Sequence, residues 1–176
     1  MRAAERVVVI GAGPCGLGIA QQLKHEQVID ALVVDRADAP AAAWRNHYDG
    51  FRLNTCAFWS HLPGQRIPRR LGRWPERDDL VRYFDDYVQR QHLRRAFDVV
   101  VHRPDREGEC WRIETNGGVL TAEAVVVATG NYHTPVFPSW DGVAGFTEPL
   151  IGPLRSFRTQ ASPIAADIDG YLDAAN

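Results

Sequence analysis

The chain has 176 residues, a single-domain length, with 45% apolar and 24% charged residues and a formal net charge of -2. This composition supports a buried core and excludes a disordered chain, and without a basic field to attract a polyanion it argues against a nucleic-acid partner. Cys15, Cys56 and Cys110 are scattered, with neither C-x-x-C redox spacing nor a metal-ligand cluster, so no metal site is expected and the thiols read as reduced, in a cytoplasmic protein.

In chain order, the strongest pattern comes first. An apolar run, 7–10, reads as a buried strand, followed by the turn Gly11-Ala12-Gly13-Pro14-Cys15-Gly16 and a helical period through Leu17, Ile19, Ala20 and Leu23. A second apolar run, 31–34, ends in Asp35. A G-x-G-x-x-G turn between strand and helix, with an acidic residue closing the next strand, is the pattern of an adenine-dinucleotide site. Gly11 allows a tight exit from the strand, Gly13 removes a side chain that would hold a diphosphate off the backbone, and Gly16 brings the helix close to the sheet. The diphosphate then rests on unpaired N–H groups at the helix start. Asp35 is placed to accept hydrogen bonds from the adenosine ribose and disfavours a 2′-phosphate by charge repulsion. Pro14, Cys15 and Arg36 lie within or beside these elements and join them as candidate cofactor contacts. For Cys15 a small buried residue in a crowded turn is the simpler reading than a reactive thiol.

Residues 44–55, rich in aromatic and polar side chains, have no sustained period and suit a long loop laid over something flat; the alternative is that Trp44, Tyr48 and Phe51 only cap the core. Residues 58–75 carry Pro63, Gly64, Pro68, Gly72 and Pro75, which exclude a long helix, together with Arg66, Arg69, Arg70 and Arg73, read as a solvated face. Leu80, Tyr83, Phe84, Tyr87 and Val88 are spaced for one face of a helix to about residue 91, with Asp78 and Asp79 as charges of its first turn rather than a catalytic pair. From residue 97 the period falls to two. Strands are expected at 97–102, 110–115 and 119–122, separated by 104–109 and by the hairpin residues Asn116-Gly117-Gly118. A strongly apolar strand, 124–128, then runs into Thr129-Gly130, and a short helix is expected near 164–172.

Taken together, the glycine turn, the Trp44-Arg45 to Asn54-Thr55 segment and the Ala128-Thr129-Gly130 end of the apolar strand resemble the FAD domain of flavin-containing and Baeyer–Villiger-type monooxygenases. The resemblance runs from about Val7 to Pro138. It implies a Rossmann-like FAD/NAD(P)-binding α/β fold in three layers: a parallel sheet from 6–10, 31–35 and 124–128, a helix from Pro14 to about residue 25, and a small antiparallel meander on the other side. It places the FAD pyrophosphate at Gly11, Gly13 and Gly16 and the ribose at Asp35. Trp44, Arg45, Tyr48, Leu53 and Thr55 match the segment that crosses the flavin, and Ala128, Thr129 and Gly130 its return past FAD. The family's paired glycine before the tryptophan is replaced by Ala42-Ala43, and the pattern expected after Phe146 is not in register. No second glycine fingerprint occurs in the 176 residues. The expected organisation is therefore a truncated FAD-binding domain, 1–140, with a divergent extension, 141–176.

The implied function is oxygen insertion into a small organic substrate, with FAD as cofactor and NADPH as cosubstrate where a second domain or partner polypeptide supplies its site. The alternative is a non-catalytic FAD- or dinucleotide-binding protein, or half of a split flavoenzyme. An NAD-dependent dehydrogenase fits less well with the aromatic segment after Asp35. No residue stands out as a catalytic acid or base; His47 and His61 read as surface or packing histidines. No apolar run is long enough to span a membrane, and no secretory leader is expected.

Overall fold

The computed structural model describes residues 4–130. Its elements are β1 (Glu5–Ile10), α1 (Pro14–Glu26), β2 (Leu32–Val34), α2 (Ala42–Arg45), a 3-10 turn (Arg69–Leu71), α3 (Arg77–Arg90), β3 (Arg94–Ala96), β4 (Val101–Glu107), β5 (Cys110–Thr115) and β6 (Gly118–Val127). The helix expected near 164–172 and the proposed extension lie outside the described residues.

All strands join one sheet in the order β3-β2-β1-β6-β5-β4, parallel from β3 to β6 and antiparallel from β6 to β4. Strand β6 belongs to both parts. Its first half pairs with β5 and its second half with β1, the changeover falling at Ala122, which faces Trp111 on one side and Glu5 on the other.

Three layers result, because the two faces of the parallel strands are covered differently. Val7, Val9 and Val33 point to a core shared with Leu17, Ile19 and Leu23 of α1 and with Leu80, Phe84 and Tyr87 of α3. Val8, Ile10 and Val34, one residue out of step, pack instead with Ile113 and Ala122, flanked by Trp111, Leu120 and Val101 of the meander. That alternation is the side-chain period of a strand buried on both faces. The expected meander on the far side is therefore present.

Several boundaries differ from expectation, each for a local reason. Residues 119–122 and 124–128 form one strand rather than two: the pattern changes from alternating to continuously apolar because the strand passes from a half-covered meander to a sheet covered on both faces. Pro104 lies inside β4 rather than in a connection; β4 is an edge strand paired only with β5, where a missing N–H costs no ladder bond. The first meander strand starts at Val101 and not at residue 97. Strand β3, Arg94-Arg95-Ala96, escapes an apolar search because it is a charged edge. Arg94 holds both carboxylate oxygens of Glu5, at 2.8 and 2.9 Å, tying β3 to the start of β1. Within the segment read as a loop, residues 42–45 wind into one helical turn.

Helix α3 buries the five residues its period selects, and its acidic first turn is engaged by Arg77 and Arg82. Its two tyrosines reach beyond it. Tyr83 Oη donates to Gln65 O at 2.6 Å and accepts from Leu62 N at 2.8 Å, while Tyr87 Oη donates to Pro63 O at 2.8 Å. Burial pushes both phenols well above their ordinary pKa, so they act as neutral clamps on the proline-rich segment.

Candidate functional site

At the carboxyl edge of the parallel strands, the glycine turn, Asp35 and the end of β6 come together. Gly11 N–H donates to Val34 O at 2.8 Å, and Ala128 N–H donates to Ile10 O at 2.8 Å. Gly11 sits at φ +113°, and a Cβ there would lie 2.3 Å from Ala128 O. Gly16 is equally constrained: a Cβ would lie 2.0 Å from Gly11 O and 3.2 Å from a Val9 methyl. These two glycines are required by contacts within the protein.

Gly13 is different. A Cβ built there meets nothing within 4 Å. Gly13 is the N-cap of α1 at ordinary extended dihedrals, with no side-chain cap, no acidic residue in the first turn, and Pro14 opening the helix. Since the first-turn N–H groups of a helix lack intrahelical acceptors and carry the positive end of its dipole, the backbone beside Gly13 offers donors and open space to an anion.

Asp35 closes the arrangement. Its Oδ2 accepts the Ala12 N–H at 2.6 Å and its Oδ1 the Ala37 N–H at 2.9 Å. Ala12, fully buried, passes the connection on, its carbonyl accepting the Ala41 N–H at 2.9 Å. Gly11, Gly13, Pro14, Cys15, Gly16, Asp35 and Ala128 thus form one constellation, with Thr129 and Gly130, at φ +83°, continuing from it. Arg36 is exposed beside it. Burial pushes the Cys15 thiol up, in line with a packing residue rather than a thiolate.

The aromatic segment is held to the scaffold by its own side chains. Trp44 is buried and packs edge-on to Phe51 and His47 and tilted against Phe84 of α3. Arg45 donates through Nε to Pro40 O at 3.1 Å and through its guanidinium to Asp85 of α3. Leu53 is buried, with its N–H on Pro75 O at 2.9 Å. Thr55 Oγ1 bonds Ser60 Oγ at 2.6 Å. Trp44 and Phe51 therefore cap the core, as the alternative reading held, whereas Tyr48 is exposed. Of the alanine run it is Ala41, preceding the Ala42-Ala43 pair, that takes the left-handed conformation favouring glycine, at φ 57°. The pattern missed Ala12, Ala37 and Ala41, which contribute only backbone atoms, so no side-chain chemistry marks them. Among the described residues no group of His, Cys, Asp and Glu could hold a metal ion, and no helix is long and apolar enough to cross a membrane.

Parallel strands carrying a glycine turn at their carboxyl edge, with helices on one face and an antiparallel meander on the other, define a dinucleotide-binding domain. The pattern of the pyridine nucleotide-disulphide oxidoreductase family matches residues 8–146, and the chain belongs to that family. It is 39% identical over 151 residues to a Baeyer-Villiger monooxygenase of Streptomyces coelicolor, covering 80% of this chain and 28% of that protein. It is 30% identical over 147 residues to the probable indole-3-pyruvate monooxygenase YUCCA4 of Arabidopsis thaliana, covering 82% of this chain and 36% of that protein. The flavin-containing monooxygenase from Stenotrophomonas maltophilia superposes with a TM-score of 0.70 at 30% identity, over 76% of this chain and 42% of that one. The chain thus resembles the FAD domain of flavin monooxygenases and spans between a quarter and a half of the length of these relatives.

Proposed function

We propose that this chain is the FAD-binding part of a flavin-dependent monooxygenase, which in complete form uses NADPH to insert one oxygen atom into a small organic substrate. The observation that carries the reading is the contrast among the three glycines: Gly11 and Gly16 are filled by the protein's own backbone, while the Cβ position of Gly13 opens onto free space beside an uncapped helix start. A diphosphate matches that chemistry. Gly13, Cys15 and Gly16 would donate backbone N–H groups to it, Asp35 would take the ribose through the lone pairs its two backbone bonds leave free, and Ala128, Thr129 and Gly130 would line the exit of β6. Arg36, Trp44, Arg45, Leu53 and Thr55 enter the same proposal through the family resemblance, Trp44 and Leu53 by supporting the segment from the core.

FAD, when bound, supplies the redox and oxygen-transfer chemistry. This chain's residues supply binding and orientation. The donors at the α1 start are fixed before any ligand arrives, since Asp35 holds Ala12 and Val34 at the end of β2 holds Gly11, so little ordering remains to be done on binding.

The second reading is a non-catalytic dinucleotide-binding protein or one half of a split flavoenzyme, since what the described elements supply is a dinucleotide cradle. A cytoplasmic location, a partner polypeptide supplying an NADPH site, and a division into 1–140 and 141–176 belong to this proposal as well. Mass-resolved extraction of ligand from the folded protein tests it: FAD supports the flavoprotein reading, NAD a dehydrogenase, and absence of any dinucleotide, with no uptake on adding FAD, overturns it. Bleaching of a bound flavin by NADPH separates the enzyme from the binding protein.

A further inference from the structure

Apart from the dinucleotide site, the segment 56–75 presents large aromatic side chains to solvent on a well-tied backbone. Trp59 is 67% exposed, Phe58 56% and Trp74 46%. The loop carrying the first two is braced internally: Trp59 N–H donates to Cys56 O at 2.9 Å, Ser60 Oγ to Cys56 O at 3.0 Å, and His61 Nδ1 lies 2.7 Å from Phe58 O. Ala57 N–H donates to Arg73 O at 2.9 Å, which joins this loop to the one bearing Trp74. The tyrosine clamps of α3 hold the residues between them. The rings are outside because the fold puts them there.

Within the segment the formal charges have one sign. Segment 56–75 contains Arg66, Arg69, Arg70 and Arg73 and no Asp or Glu. Arg66, Arg69, Arg70 and Arg73 are exposed, and among the described residues none of them is in an ion pair, although Arg45, Arg52, Arg77 and Arg94 are. The nearby carboxylates are already taken, Glu76 by Arg52 and both Asp49 and Asp78 by Arg77. The Arg73 guanidinium lies over the Trp74 ring, 4.8 Å from its centroid.

We propose that this face docks onto an anionic lipid surface. Aromatic rings with one polar edge settle at the headgroup level of a bilayer, and guanidinium groups beside them bind lipid phosphates in two-pronged fashion. Exposed rings and arginines that are unpaired among the described residues, with no carboxylate in the segment between them, are the two halves of that recognition. A second copy of the chain docked by two-fold symmetry would set arginine against arginine. The inference is independent of the flavin reading and stands or falls separately from it.

The test is co-sedimentation of the 176-residue protein with vesicles of phosphatidylcholine alone and of phosphatidylcholine mixed with phosphatidylglycerol. Binding is expected to the anionic vesicles, to weaken in high salt, and to be accompanied by quenching of tryptophan fluorescence when brominated phosphatidylcholine is included. Each arginine near such a surface contributes about fivefold in partitioning, so Arg69→Glu with Arg70→Glu is expected to lower it by about 25-fold or more. Trp59→Ser together with Trp74→Ser is expected to abolish most of the quenching. Arg103→Glu, on β4 and away from this face, makes the same charge change per residue and is expected to leave binding in place. Absence of binding to anionic vesicles, equal binding to neutral ones, or an equal loss per charge in Arg103→Glu would overturn the proposal; the wild-type quenching result decides it even where a variant fails to fold.

Discussion

The carboxylate of Asp35, at the end of β2, accepts the backbone N–H of Ala12, inside the glycine turn after β1, at 2.6 Å. One acidic residue therefore shapes the turn as well as facing the proposed ribose position. Asp35→Ala is expected to weaken FAD binding by about 1.5 to 3 kcal/mol, the range for a lost charged hydrogen bond. Calorimetry with a second ligand lacking the ribose hydroxyl divides that loss. The difference between ligands is the ribose contact, and the common part is the distortion of the turn; a variant with wild-type affinity for both would remove Asp35 from the site.

Gly13 and Gly11 should separate function from fold. Gly13→Val is expected to leave the melting temperature close to wild type, because the new side chain enters open space, while dinucleotide affinity drops by more than about 2 kcal/mol. Gly11→Ala places a methyl against the Ala128 carbonyl at a positive φ, and overpacking plus backbone strain is expected to cost at least about 2 kcal/mol of stability. Melting curves and titrations of the two variants, compared side by side, would show no such division if the fingerprint served packing alone.

How much of this could be read beforehand depended on where the information lay. The β1–α1–β2 unit and α3 were legible because their apolar residues keep a strict period and their ends carry glycine, proline or acid in meaningful places. Strand β3 was not, since Arg94 and Arg95 are chosen for an edge and for Glu5 rather than for burial. At the site, glycines and Asp35 were legible by type, but their division of labour was not: that Gly11 is needed by Ala128 and Gly13 by nothing in the protein depends on a strand more than a hundred residues away. Ala12, Ala37 and Ala41 act through backbone atoms that every sequence contains.

At the end of α1 the chain turns through Val28, a β-branched residue at φ 57° and 86% exposed, and Ile29 N–H then returns to Leu23 O at 2.9 Å. A valine in the left-handed region costs roughly 1–2 kcal/mol and here buries almost nothing in return. Val28→Gly is expected to stabilise the protein by about 1 kcal/mol and raise the melting temperature by about 2–4 °C, with ligand binding unchanged. Scanning calorimetry would count against the assignment if the variant melted lower. Ala41 is at a similar φ but is buried, so removing its methyl would offset the relief and no comparable gain is expected.

His47 stacks flat on Phe51, with ring centroids 4.3 Å apart and planes 5° from parallel. Burial, and then the neighbouring Arg77, push its pKa down, so folding disfavours the protonated imidazole. The unfolded chain binds the proton more readily, so its stability contribution is present above the ordinary histidine range and lost as pH falls through that range toward the lower folded value. Denaturant midpoints measured from pH 7.5 down to pH 5.5, about one unit either side of a free histidine, should fall more steeply for wild type than for His47→Phe, which keeps a ring on Phe51 without the proton. Parallel curves would place the titration elsewhere.

The last expectation concerns turnover by the chain alone. Only one glycine fingerprint is present in its 176 residues, and Asp35 beside that turn opposes the 2′-phosphate that distinguishes NADPH. NADPH has no second prepared cradle among the described elements, so it should neither bind at micromolar concentration nor reduce a flavin held at the first. Binding of FAD itself should be weak, resting on the adenosine and diphosphate end where Gly13 and Asp35 lie. Because oxygen transfer to a substrate depends on keeping water from the reacting flavin, any electrons that do reach oxygen should leave as hydrogen peroxide. Purified protein supplemented with FAD is therefore expected to consume NADPH no faster than free FAD does, with oxygen uptake matched by peroxide. Stoichiometric FAD together with NADPH-dependent oxygenation of an organic substrate would show that these residues suffice for the full reaction; restoration of that activity by adding a polypeptide with a second dinucleotide fold would instead identify the chain as one half of the enzyme.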